Sequence, residues 1–563
     1  MFHQELVQRL ENVQSQEQFT KLKAELSHKY KLKSIPMNIE ILCNLEPEQI
    51  TKYKKFLITK PTRTISGVAP LAIMTAPLNC PTQAKCTFCP GGPNSYYGDT
   101  PKSYPGGSPA HLRAMRNNYD SYLQVLNRLE HYILLNQDCS KTELIIMGGT
   151  FPSYPLKYRH DFVTYTLKAM NDFSEMFFTP EFNLEKFRIF FELPADVKDP
   201  ERTKRIHQKL LAIKRTTTLE REQKRNEISN IRCTVFCIET RPDCALPVHI
   251  NDMLKLGCTR VELGVQSLSD DVLQKVERGH DVQSSIQATQ LLRDSFLKVG
   301  YHMMLGLPGS TYESDVKMFQ ELFTNPAYKP DALKIYPCLV FKGTKLYQQW
   351  QNGEFQPIDA HEAVQRIVEI KKYISPYCRI MRIQRDIPTY MVEAGVEKTN
   401  LRQEVFELLK KQKVVCRCIR CREPKKMDID WNNIRLQRFD YEASQGQEIF
   451  LSCDDVKNDK ILGFTRLRIP YQPFRPEITA NTAGIREIHV YGSAVHIGKE
   501  AEREVQHHGL GLQLLQEAER IATEEFDAKK MIIIAGIGAR EYFKKKVGYK
   551  QEGPYVSKKI KRE

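Results

Sequence analysis

Between about residues 65 and 340, short β-rich apolar runs alternate with longer stretches of helical periodicity, and this alternation constrains the fold more than any other feature. The runs are TELIIMGG, IRCTVFCIET, TRVELGVQS, VGYHMMLGLPG and ALKIYP. Repeated βα alternation implies parallel strands joined by crossover helices, so the expected class is α/β, as a barrel or an open sheet. In such folds the chemistry gathers at the carboxyl ends of the strands, where the Gly148–Gly149 and Gln266–Ser267 segments fall.

A length of 563 residues leaves room for several domain-sized units around this core. Residues 1–60 read as two or three lysine-bearing helices, 61–345 as the barrel, and 346–427 as a linker ending in the basic LKKQKVVCRCIRCREPKK. From 428 to 563 the style changes to antiparallel-looking strands (EIFLSCDD, ILGFTRLRIP, IREIHVYGS), a long helix from Gly509 and the strand MIIIAG, which reads as a second domain. No stretch approaches the roughly 18 apolar residues of a membrane span, and the polar N-terminus is unlike a secretory signal, so the expected location is cytoplasmic. The formal net charge of +15 favours a polyanionic partner, with nucleic acid ahead of acidic lipid or protein.

Fifteen cysteines in a chain expected to meet a reducing compartment direct attention to metal-ligand spacing rather than to disulfides. NCPTQAKCTFCPGGP sets Cys80, Cys86 and Cys89 in a C-x5-C-x2-C array on a proline- and glycine-rich loop. Three thiolates without a fourth are an incomplete structural zinc set. A 4Fe–4S cluster held by three cysteines, in contrast, keeps one iron open, and that iron can chelate S-adenosylmethionine (SAM). A zinc loop borrowing a distant ligand is the alternative. CRCIRC brings Cys416, Cys418 and Cys421 close enough to share one tetrahedral zinc, with the fourth ligand unidentified.

The first array and its βα setting resemble the radical SAM superfamily. The resemblance implies that the glycine-rich strand end MGGTF, with Gly148, Gly149 and Thr150, contacts the methionine amino group. It also implies that Gln266 and Arg278, in GVQSLSDDVLQKVERGH, hold the ribose and the methionine carboxylate. The usual spacing in the superfamily is C-x3-C-x2-C, so the first gap is longer here.

Near the C-terminus, QHHGLG matches Q-x-x-G-x-G, with Gln506, Gly509, Leu510 and Gly511. Glycines there let a helix N-terminus bring free N–H groups against a pyrophosphate. A preceding strand, an apolar helix face of Leu510, Leu514, Leu515, Ala518 and Ile521, and a following strand resemble the GNAT acetyltransferase fold. The resemblance implies acetyl-coenzyme A as ligand and Tyr542 near the thiolate leaving group. The second tyrosine of the family's pair is Phe543 here.

A partial (β/α) radical SAM barrel followed by a cysteine-bearing basic linker and a GNAT-type α/β domain is similar to the family of Elongator catalytic subunits. The match runs from KPTRTISGVAP to GPY and includes IETRPD and IQRDIP; with its CRCIRC triplet the chain looks closer to archaeal, bacterial or viral members than to fungal and animal ones. The family resemblance implies a tRNA uridine(34) acetyltransferase that carboxymethylates carbon 5 of the wobble uridine. Its substrates would be acetyl-coenzyme A and the tRNA anticodon stem-loop, whose unstacked base can enter a pocket at low cost. Basic runs at 202–225, 410–426 and 544–562 are the candidate phosphate contacts. tRNA is expected to gate thioester turnover by bringing the two domains into register. A homodimer is compatible with this reading, and other Elongator subunits are not required by it. The alternatives are a protein lysine (histone) acetyltransferase with a structural cluster and a non-catalytic tRNA-binding scaffold.

Overall fold

The computed structural model describes residues 1–562 apart from 33, 43, 60–66, 82, 197–198, 425–428 and 493–508. Its strands are Ala69–Met74 (β1), the hairpin Gly92–Ser95 (β2) and Gly98–Thr100 (β3), Lys141–Met147 (β4), Arg232–Thr240 (β5), Arg260–Gln266 (β6), Lys298–Leu305 (β7), Ala332–Pro337 (β8) and Arg379–Arg382 (β9). Seven of these form one sheet in the order β1-β4-β5-β6-β7-β8-β9, with every pair parallel. The five β-rich runs named from the sequence supply β4 to β8. They read as apolar because parallel strands are covered on both faces: the successive residues Met303, Met304 and Leu305 of β7, which point alternately to the two faces, are all buried.

Crossover helices over Ser121–Leu134, Leu156–Phe177, Val282–Asp294 and Tyr312–Thr324 complete the partial barrel. Most start at a residue suited to the task. Asp120, Asp281 and Thr311 accept hydrogen bonds from the N–H groups of Leu123, Ser284 and Ser314, relieving donors that a helix start leaves unpaired.

Two expectations are corrected. The N-terminal segment holds five helices, Phe2–Leu10, Gln16–Lys29, Asn38–Leu42, Pro47–Lys52 and Lys54–Leu57, rather than two or three. They close around Leu6, Phe19, Leu26 and Phe56. Residues 346–427 are not simply a linker, because β9 lies within them and pairs with β8 as the last strand of the barrel sheet.

The second sheet comprises Ile434–Ala443 (β10), Gly446–Asp455 (β11), Lys460–Ile469 (β12), Thr482–Val490 (β13), Lys530–Ile533 (β14), Lys550–Glu552 (β15) and Tyr555–Lys559 (β16). Its order is β10-β11-β12-β13-β14-β16-β15, and only β13 and β14 are parallel. These two pair over Thr482–Ile485 and Lys530–Ile533 and then part, so the rest of β13 lacks β14 as a neighbour. The helix Leu510–Glu524 buries Leu510, Leu514, Leu515, Ala518 and Ile521, the face expected from the sequence.

The two sheets are joined by buried ion pairs. Arg486 meets Asp331 through two bonds of 2.7 Å, Arg468 donates to Asp294 at 2.9 Å, and Glu487 pairs with both Arg466 and Lys298. Stripping water from so many charges is tolerable only when each is met by a partner, and breaking one pair leaves its mate stranded. The register of the two domains is therefore built into the fold, contrary to the expectation that tRNA sets it. Among the described residues, no helix is long and apolar enough to cross a membrane.

Candidate active site

The loop after β1 carries Cys80, Cys86 and Cys89 at the carboxyl edge of the barrel sheet, each partly exposed. Each sulfur has a polar neighbour: Thr150 Oγ1 lies 3.4 Å from Cys80 Sγ, Arg278 Nη1 donates to Cys86 Sγ at 3.3 Å, and the Ser103 N–H donates to Cys89 Sγ at 3.3 Å. Burial pushes the Cys89 thiol above its ordinary pKa.

The residues named from the radical SAM resemblance converge on this loop. Gly148 and Gly149, directly after β4, have φ of +97° and +66°, and a side chain on Gly149 would strike the Tyr154 hydroxyl at 2.0 Å. Gln266 ends β6 with φ +70°, rare for a residue with a side chain, and its buried Oε1 has no partner. Arg278 Nη2 donates to the Gly264 carbonyl at 2.7 Å, so that its other nitrogen can reach Cys86. A Cβ on Gly264 would sit 2.6 Å from that guanidinium and 3.1 Å from Gln266 Nε2, which brings the three positions together.

Sulfur spacing separates the two cysteine arrays. Zinc–sulfur bonds of about 2.3 Å set tetrahedral sulfurs roughly 3.8 Å apart. Cys416, Cys418 and Cys421 have their sulfurs within 4.8 Å of one another, whereas the 80, 86 and 89 set is not among the described groups that tight. The tight trio fits a single zinc. The wider one, with a polar neighbour at every sulfur and the orphaned Gln266 oxygen on the strand end that Arg278 links to Cys86, fits a larger cluster carrying a polar ligand. At the tight trio, Lys371 Nζ lies 3.7 Å from Cys421 Sγ. Burial opposes the Lys371 charge, but the surrounding thiols outweigh it and raise its pKa.

Below the cysteine loop, a layer of charge fills the barrel that the sequence reading missed. Lys334 pairs with Glu239 at 2.8 Å and with Glu262, and His302 Nε2 lies 2.9 Å from Glu262. Burial opposes ionisation of Glu262, but Lys334 and Arg260 hold it well below the carboxylate range; burial lowers His302. The available signal was the ionisable residues inside otherwise apolar strands: Glu239 in β5, Arg260 and Glu262 in β6, His302 in β7 and Lys334 in β8.

At the opposite end of the barrel, a cavity of about 150 Å³ lies between the starts of its strands and the splay of β13 and β14. Arg260 and Lys298 line it from the barrel, and Glu487, His489, Ala535 and Phe543 from the other domain. The buried Nε2 of His489 has no hydrogen-bond partner, and burial lowers its pKa to about 4. Gly509, with φ +78°, caps the helix Leu510–Glu524, and a Cβ on Gly511 would lie 3.6 Å from Val490 at the end of β13. The helix start thus faces the splay; Gln506 lies outside the described residues. Phe543 lines the cavity, while its neighbour Tyr542 is 38% exposed with its ring edge on Phe543. Much of the basic sequence is internally neutralised: Arg205 and Lys209 pair with Glu192, Lys544 with Glu227, and Lys558 with Glu519.

The parallel half-barrel with its three-cysteine loop, followed by a splayed mixed sheet, defines a protein that joins a radical SAM domain to a GNAT domain. Matches to known families agree: the ELP3 N-terminal domain over residues 2–65, the radical SAM superfamily over 79–322, the radical SAM C-terminal domain over 330–424, and the acetyltransferase (GNAT) family over 403–549. The chain is 45% identical over 532 residues to the tRNA uridine(34) acetyltransferase of Methanocaldococcus infernus, covering 93% of this chain and 92% of that protein. It is 36% identical to Elongator complex protein 3 of Mus musculus, covering 96% and 93%. The solved structure of the archaeal Methanocaldococcus infernus Elp3 with N-terminus deletion superposes with a TM-score of 0.72 at 42% identity, covering 88% of this chain and all of that one. The chain belongs to the Elongator complex protein 3 family.

Proposed function

We propose that this chain is a tRNA uridine(34) acetyltransferase that places a carboxymethyl group on carbon 5 of the wobble uracil, with acetyl-coenzyme A as the carbon source. The supporting observation is the pairing, in one rigidly joined chain, of a cluster-type cysteine loop at one end of the barrel with a GNAT splay at the other. The archaeal relative's name supplies the substrate.

Cys80, Cys86 and Cys89 would hold a 4Fe–4S cluster, which with bound SAM would supply radical chemistry strong enough to take hydrogen from a methyl group. Gln266 and Arg278 would hold the ribose and the methionine carboxylate, and the Gly148–Gly149–Thr150 turn would admit the methionine amino group, with no Cβ at the two glycines. At the other end, the Gly509–Gly511 helix start with Leu510 and Gln506 would bind the pyrophosphate, and Tyr542 would hydrogen-bond the departing thiolate. The net change exchanges a methyl C–H and the uracil C5–H for one C–C bond. This is a two-electron oxidation balanced by reduction of SAM to methionine and 5′-deoxyadenosine; water then releases coenzyme A from the thioester. Such chemistry requires that solvent, which would quench it, be kept from the reacting atoms. A zinc ion on Cys416, Cys418 and Cys421 would pin the segment between the domains.

The test is an anaerobic reaction with reconstituted chain, SAM, isotopically labelled acetyl-coenzyme A and an anticodon stem-loop RNA, read as labelled 5-carboxymethyluridine. Lysine acetylation without SAM as the sole product would move the assignment to a protein acetyltransferase. RNA binding without either product would leave a scaffold.

A further inference from the structure

The long first cysteine gap and the IETRPD turn meet in the structure. Gln83 lies within the five-residue gap, and its Nε2 donates to Asp243 Oδ2 at 3.1 Å. Asp243 is gripped by Arg241 through Nε and Nη2, both at 2.9 Å. The remaining arm of Arg241, Nη1, donates to the backbone carbonyl of Arg278 at 2.7 Å, and Arg278 in turn reaches Cys86 Sγ. Gly279, with φ +74°, closes the circuit from the other side: a Cβ there would lie 2.2 Å from the Gln83 carbonyl oxygen.

Arg241 is only 3% exposed, and none of its three nitrogens faces open solvent alone. Burial opposes its charge, yet Asp243 and the Cys86 and Cys80 thiols raise its pKa above the usual guanidinium value. Two arginines thus stand beside one side of the cysteine loop, one touching a sulfur and the other fixing the backbone of the first.

We propose that Arg241 is a positioning residue that raises the reduction potential of the cluster by holding Arg278 against Cys86. This rests on reading Cys80, Cys86 and Cys89 as cluster ligands. Reduction adds negative charge, so a cation and a hydrogen-bond donor at a ligating sulfur favour the reduced state. A guanidinium freed to swing into solvent withdraws both.

The experiment compares full-length wild type, Arg241→Lys and Asp243→Asn, reconstituted anaerobically without SAM, by iron and sulfide content and by a potential titration followed by electron paramagnetic resonance. The expected result is a normal iron content with at least a tenfold drop in the reduced-to-oxidised ratio at fixed ambient potential, about 59 mV for a one-electron couple. Loaded variants with unshifted potentials overturn the proposal. So does failure of both folded variants to assemble a cluster, which would make the turn a purely structural anchor; if only Arg241→Lys fails, Asp243→Asn decides by its potential. Wild-type protein without a four-iron cluster would remove the underlying reading itself, a distinct result.

Discussion

Arg486 and Asp331 face each other across the junction of the two domains as a buried fork, each carboxylate oxygen 2.7 Å from a guanidinium nitrogen and neither side chain exposed. Asp331 also accepts the Val299 N–H at 2.8 Å, so this one carboxylate ties a β7 backbone group to β13. Removing it leaves Arg486 with Glu448 where it had two carboxylates and takes a buried counter-charge from Arg466 as well, and Asp331→Ala is expected to destabilise the chain by about 3 kcal/mol in denaturant unfolding. A loss below about 1 kcal/mol would mean that the junction is solvated in solution.

The same junction predicts an acid limit. Burial opposes the Glu487 charge, but Lys298 and Arg466 outweigh it and bring its pKa to about 2; the pKa of Asp331 is lowered as well, by Arg486 and Arg466 against burial. A carboxylate whose folded pKa is depressed contributes stability that is present above its unfolded value, about 4, and lost as pH falls toward the folded one. Stability should therefore fall between about pH 4 and pH 2, less steeply in Glu487→Gln, as read from melting temperature against pH.

These charges also show where sequence reading stopped. The β4 to β8 runs were legible because strands buried on both faces need apolar residues almost throughout. FTRLRIP and IREIHV alternate, and alternation ordinarily marks a solvated face; here the polar face, with Arg466, Arg468 and Arg486, is pressed against the barrel. RIMR, four residues with two arginines, carries too little pattern to announce β9. The cysteine motif and the residues around it were legible because they are local, whereas the link from Arg241 to Cys86 joins segments far apart in the chain.

At the cysteine loop, Cys80→Ala, Cys86→Ala and Cys89→Ala should each abolish 5′-deoxyadenosine formation from SAM. Gly149→Ala should lower it by at least tenfold, since its Cβ would meet the Tyr154 hydroxyl at 2.0 Å in a left-handed backbone. Full turnover in any cysteine variant would refute the cluster assignment.

The tight trio should hold about one zinc per chain beyond the iron of the cluster. Cys418→Ser should release it and lower thermal stability without changing iron content. Unaltered zinc in that variant, or none in the wild type, would return these cysteines to ordinary buried thiols.

An RNA gate on the thioester would have to work within this fixed junction. With the two domains already locked by Asp331 and Arg486, gating by a rigid swing would require breaking buried ion pairs at several kcal/mol each. Control should instead act locally at the GNAT site, where RNA can shift an equilibrium only by binding one local state better than another. Tyr542 is well placed for such a role because it is half exposed beside Phe543, which lines the cavity between the domains. Tyr542→Phe should lower RNA-stimulated acetyl-coenzyme A hydrolysis about tenfold, worth roughly 1.4 kcal/mol of transition-state stabilisation, and leave RNA affinity unchanged. Binding energy should come from other positions. Lys410, Lys411 and Lys413 are exposed and carry no ion pair among the described residues, unlike Arg205, Lys209 and Lys544. Reversing the charge at these three should weaken RNA binding and reduce the slope of log affinity against log salt by about one per lost phosphate contact. The measurement is thioester hydrolysis with and without an anticodon stem-loop across a salt series. Equal hydrolysis in both conditions would end the idea of an RNA gate, and an unchanged salt slope would move the phosphate-binding surface elsewhere.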